Sequence, residues 1–163
     1  MAEILSENNC TELKHVVEAV LQKYSLKLHS KTIILLDDDG PAFWKKDRIF
    51  ISTQRKSISE LAILSVILHE DSHAQCNMKN KTMLQIYPKI TAIFPEIEYI
   101  EPEIKYPIAE FCACFLEFKQ LKSLLGEDVA KTTFKRKVNK FIKIILDNYE
   151  KIDKIFASEA IIQ

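Results

Sequence analysis

Glycine is almost missing from this chain, with two in 163 residues. Dinucleotide-binding turns and phosphate-cradling loops need several glycines at fixed offsets, so both chemistries are excluded. Excess charge of either sign is missing too, because 23 basic side chains balance 23 acidic ones. No global field favours nucleic acid, an anionic membrane or acidic substrates. The four cysteines, Cys10, Cys76, Cys112 and Cys114, lack the CxxC spacing of a zinc ribbon or redox dithiol, and reduced buried thiols are expected. No apolar run approaches the ~18 residues needed to span a bilayer, the nearest being residues 61–68, so no membrane role is expected. Residues 1–10 carry Glu3 and Glu7 where a secretory signal needs a basic start and an apolar run, and a cytoplasmic location is expected. There is no internal repeat and no low-complexity segment. The length suits one domain over residues 1–163, burying roughly 70% of its unfolded surface, so no metal is needed merely for folding.

The hydrophobic pattern predicts an α+β chain that is mostly helical. Leu13, Val16, Val17, Val20, Leu21 and Tyr24 recur at helical spacing, predicting a helix over 10–26 with His15 on its opposite, wet face. The β-favouring runs 32–36 and 48–51 flank Asp37-Asp38-Asp39-Gly40-Pro41, predicting an antiparallel hairpin whose loop carries Phe43 and Trp44. The triple Asp lacks the alternate spacing of a calcium loop and reads as a solvated turn. Ser57 and Glu60 have the spacing of a capping box, so a helix is expected from about residue 58, apolar all round over 61–68 except at Ser65 and therefore buried. Between residues 77 and 107, Pro88, Pro95, Pro102 and Pro107 predict loops and short helices. A further helix should open at Pro107 and stop at Gly126. The stripe Phe134, Val138, Phe141, Ile142, Ile145, Tyr149, Ile152 and Phe156 predicts one long helix over 127–157. Its lysines are interrupted by Asp147, Glu150 and Asp153, as on a solvated face rather than a nucleic-acid contact.

The buried helix carries the chemistry, in the run His69-Glu70-Asp71-Ser72-His73. At 3.6 residues per turn, His69 and His73 point to one side one turn apart, close enough to share a tetrahedral ion. Glu70 lies about 100° round from His69, within reach of a water at the ion and outside its ligand set. In a chain of this composition a chance match is expected on the order of once in a hundred sequences. Catalytic zinc sites take three protein ligands and keep a fourth position for water. No histidine follows His73, so the third ligand is expected to be a downstream acid among Glu96, Glu98, Glu101, Glu103, Glu110 and Glu117. Glu110 is preferred, because Ala113 and Cys114 one turn on would let its helix approach closely. Glu117, about 20° from it round the helix, and Glu103 are the rivals.

In these residues the chain resembles the HExxH zinc metallopeptidases, or zincins, and among them the compact gluzincins of the ImmA/IrrE type. A second match is Glu110-Phe111-Cys112-Ala113, similar to the ExxA pattern of the gluzincin ligand helix, and the resemblance covers roughly residues 30–125. It implies a small sheet ahead of the metal helix, bound zinc, hydrolysis of a protein or peptide substrate, and an edge strand lining the cleft. Asp71 is charged where such motifs usually keep an uncharged residue, and Cys114 stands where Asp or Asn usually follows ExxA.

The expected mechanism places zinc on His69, His73 and Glu110 and makes Glu70 the general base and then the general acid. Tyr87, Tyr99, Tyr106 or an upstream histidine is expected to assist the oxyanion, and the edge around Phe50 to Thr53 to receive an extended peptide. Two rivals differ in class. One is a non-catalytic zincin-like domain that binds a protein partner or acts as a regulator. The other is a di-iron bundle built on the ExxH runs at Glu12 and Glu70, and the outward phase of Glu12 and His15 on the first helix opposes it.

Overall fold

The computed structural model describes residues 1–54, 58–77, 79–135 and 139–159. The fold is α+β, with seven α-helices and a four-stranded mixed sheet among the described residues. The chain divides into two compact units, Met1–Ala74 and Gln75–Gln163.

The first unit holds β1 (Glu3–Ser6), α1 (Thr11–Lys23), β2 (Thr32–Leu36), β3 (Phe43–Lys45), β4 (Arg48–Ser52) and α2 (Glu60–Ser72). Its sheet runs in the order β1-β2-β4-β3. Every second residue of the two central strands turns inward, so Ile33 faces Ile49 across the register and Leu35 faces Ile51, all four fully buried. The buried face of α1 is Leu13, Val17, Val20 and Leu21, with His15 exposed, and α1 packs against α2.

The expected hairpin is drawn differently. β2 and β4 pair in parallel, and the strand antiparallel to β4 is the three-residue β3, in the stretch expected to be loop. Alternation and turn residues specify strands and a reversal but leave open which strand takes it. The tight turn between β3 and β4 is Lys46-Asp47, both at positive φ (50° and 62°), the backbone a two-residue hairpin demands. Neither residue is the usual glycine or asparagine, so the sequence carries no strong signal for it. The Asp37 to Asp39 stretch is an internal staple: the Asp38 carboxylate accepts from Gly40 N (3.1 Å) and from the Ser52 hydroxyl. β1, which pairs in parallel with β2, was not expected, because its four residues are mostly exposed and show no alternation. With β3 pairing Arg48 to Phe50, the edge expected around Phe50 belongs to β3 instead. Phe43 on that edge stacks on Phe50 with centroids 4.4 Å apart.

The second unit is helical: α3 (Lys81–Ile93), a 3₁₀ turn (Pro95–Glu98), α4 (Pro107–Leu125), α5 (Glu127–Lys135), α6 (Phe141–Asp147) and α7 (Tyr149–Ser158). α4 runs as expected, with Pro107 in its first turn and Gly126 at φ 82° closing it. It is the core of this unit. Phe111, Phe115 and Phe118 meet Phe141, Phe156 and Phe134 at centroid distances of 5.7, 4.8 and 4.9 Å.

Two expectations fail here. The proline-broken segment contains the 13-residue α3, with Pro88 inside it. Asn80 caps this helix by accepting from Thr82 N and Met83 N, and buried Met83, Ile86, Tyr87 and Ile90 offset the donor lost at the proline. The long C-terminal helix is instead three. Asn148 (φ −131°, ψ 24°) breaks α6 from α7, and Asn139 Oδ1 accepts from Phe141 N and Ile142 N to start α6. The apolar stripe survives these breaks because all three helices bury against α4 or α3. Val138 of that stripe lies outside the described residues.

Candidate metal centre

α2 begins at Ser59, whose hydroxyl accepts from Ala62 N at 3.3 Å, and Ser57, the expected cap, lies outside the described residues. Ile63, Leu64, Ile67 and Leu68 are fully or almost fully buried, which holds the helix rigidly and carries the polar run His69-Glu70-Asp71-Ser72 into the interior. The α-helix proper ends at Ser72. His73, its C-cap, keeps helical dihedrals (φ −65°, ψ −22°), so the one-turn spacing from His69 persists. The two rings stand edge to face with centroids 5.0 Å apart. Glu70 is 7% exposed, and its Oε1 lies 3.9 Å from His69 Nε2.

Asp71 is 3% exposed, a burial that demands partners for a carboxylate. It finds them on the segment that enters β2: Oδ1 accepts from Ser30 N at 2.7 Å, and Oδ2 from His29 N at 3.0 Å, with His29 Nδ1 3.3 Å away. At 100° per residue Asp71 projects about 160° from either imidazole, so this charge is spent on clasping a loop and does not oppose the His pair. The sequence shows a charge on a buried helix, but its partners lie 41 and 42 residues upstream and leave no local signal.

Glu110 occupies the first turn of α4 and is half-buried. His69, His73 and Glu110 each present one ligand atom, and the three atoms lie within 4.8 Å of one another. No other group of three or more such side chains meets that description among the described residues. Two imidazole nitrogens and one carboxylate oxygen are a donor set that could hold a divalent metal ion. The remaining acids are not in that group. Glu96, Glu98 and Glu103 are exposed, Glu101 accepts from Lys140 N at 2.8 Å, and Glu117 is fully buried two turns further along α4.

No protein-family model, curated protein or solved structure matches this chain.

Around Glu110 lies sulfur. The Cys114 thiol is 3.9 Å from Glu110 Oε1, and burial, with Cys114 and Glu110 nearby, pushes the Cys76 thiol well up. All four cysteines are buried, and none forms a disulfide. Of the tyrosines considered for an oxyanion, Tyr87 is buried, held protonated by that burial, and its hydroxyl has no hydrogen-bond partner among the described residues. Tyr99 and Tyr106 are exposed. Of the upstream histidines, His15 is exposed on α1 and His29 is engaged by Asp71 on the face of α2 turned from the His pair.

Proposed function

We propose that this chain is a zinc-dependent peptidase in which His69, His73 and Glu110 hold the metal and Glu70 is the catalytic base. The single observation that carries the reading is the convergence of those three ligand atoms within 4.8 Å, beside a buried carboxylate one residue along the helix. A zinc ion bound there supplies a Lewis acid that eases deprotonation of water and polarises a peptide carbonyl. Glu70 accepts the proton from the attacking water and then donates it to the leaving amine as the C–N bond breaks. Its burial raises the worth of that transfer, because solvent does not compete for the proton. An extended peptide adds its backbone to the outer edge of β3, with exposed Phe43 as an apolar contact.

Glu70→Gln separates binding from chemistry. The variant is expected to bind one zinc per chain and to lose at least ~1,000-fold in cleavage of a fluorogenic peptide mixture, a fall of the size set by loss of general acid–base catalysis. Cleavage at the parent rate removes Glu70 from the role. The second reading, a zincin-like domain that binds a protein partner without cutting it, is favoured if the parent protein holds equimolar zinc yet cleaves no peptide.

A further inference from the structure

The carboxylate of Glu110 is not left to find its own orientation. Cys114, one helical turn on and fully buried, has its sulfur 3.9 Å from Glu110 Oε1 with the geometry of an S–H donor. The same sulfur accepts a hydrogen bond from Asn139 Nδ2 at 3.5 Å. Asn139 is itself fixed, because its Oδ1 caps α6 by accepting from Phe141 N (2.9 Å) and Ile142 N (3.2 Å). That cap settles which end of the amide is oxygen, and so which end faces the thiol. The polarity of the chain then has one consistent sense: amide N–H to sulfur, thiol S–H to carboxylate. Cys114 does not belong to the group of converging ligand atoms, so it stands behind Glu110 and not beside it at the metal.

We propose that Cys114 is a positioning residue for Glu110, and that Asn139 holds Cys114 in the donor orientation this requires. The inference rests on the zinc reading above. A ligating carboxylate has more lone pairs than one metal bond uses, and a donor on one oxygen leaves the other to face the ion. Outer hydrogen bonds of this kind contribute roughly 10- to 100-fold to metal affinity. A thiol suits a closed helical position, since it packs as a small apolar group while keeping one weak donor. Cys114→Ser keeps a donor of similar size, whereas Cys114→Ala removes it. Asn139→Asp keeps the oxygen that caps α6 and removes the amide donor to sulfur.

The test is zinc affinity by competition with a chromophoric chelator, with the ligand-field spectrum of the Co²⁺-substituted protein read in parallel. Cys114→Ala is expected to weaken zinc binding about 10-fold or more and to change the Co²⁺ bands. Cys114→Ser is expected to restore both, and Asn139→Asp to fall between parent and Cys114→Ala. A purely structural role for the thiol would lower thermal stability without moving the Co²⁺ spectrum. Equal zinc affinity and identical Co²⁺ bands for parent and Cys114→Ala overturn this proposal and leave the metal centre standing. A parent protein that takes up no zinc overturns the metal reading, and this one with it.

Discussion

Asp71 stands inside the His69–His73 run, and its own work is structural. Its two oxygens receive the N–H groups of His29 and Ser30, which fastens the approach to β2 onto α2. Removing the carboxylate takes the acceptor from one buried donor, Ser30 N, and one part-buried donor, His29 N, at a cost of about 3 kcal/mol from hydrogen bonds of this charged kind. Asp71→Ala is accordingly expected to lower the urea midpoint of the metal-free protein while zinc stoichiometry stays at one per chain. Unchanged stability would show the clasp to be incidental. The same residue marks where sequence reading stops. The His69 and His73 spacing is legible because four residues make one turn, whereas the partners of Asp71 come from another part of the chain and follow no period. Glu110 was legible for an intermediate reason: the need for a third ligand selects acids on a helix with small neighbours, though the choice over Glu117 depends on coordinates.

Elements with an unbroken apolar stripe or with signals at both ends were the readable ones. α1 has its apolar stripe, and α4 has Pro107 at its start and Gly126 at its end. Gly126 sits at φ 82° and ψ 164°, a region essentially closed to other residues, with open space where a Cβ would point, so Gly126→Ala is expected to cost about 1–3 kcal/mol through the backbone alone, measured by chemical denaturation. α3 and the helices after α5 were misread for opposite reasons. In α3 a capping Asn80 and a buried face outweigh Pro88, and in the last helices polar asparagines break a stripe that periodicity alone reads as continuous. Tyr149 opens α7 at such a break. Burial, with Asp153 and Glu150 nearby, pushes its hydroxyl from the ordinary 10 to about 12. The unfolded chain therefore releases this proton first as pH rises, so Tyr149's contribution is intact below pH 10 and is lost between 10 and 12. Tyr149→Phe should flatten the loss of stability over that window, and an identical slope in both proteins would dismiss the effect.

At the scale of the whole molecule, a chain of 163 residues without net charge is long enough to be expected to fold unaided, so a bound metal is expected to add to stability without being its source. An ion that binds the folded chain alone stabilises it by an amount set only by its concentration relative to its dissociation constant, about 2.7 kcal/mol at a 100-fold excess. In a chain of this length each kcal/mol moves the thermal midpoint by roughly 2–4 °C, so stripping zinc with a chelator should lower Tm by about 5–10 °C and leave a cooperative transition. Glu110→Ala and His69→Ala are expected to abolish that difference between the zinc-loaded and chelated proteins, since either removes one of the three proposed ligands. Glu70→Gln should keep it in full, because Glu70 lies outside the proposed ligand set. If the shift survives in Glu110→Ala and vanishes in Glu117→Ala, the third ligand is the deeper acid of α4. If chelation unfolds the parent outright, the ion is part of the core, and its place in catalysis yields to a structural one.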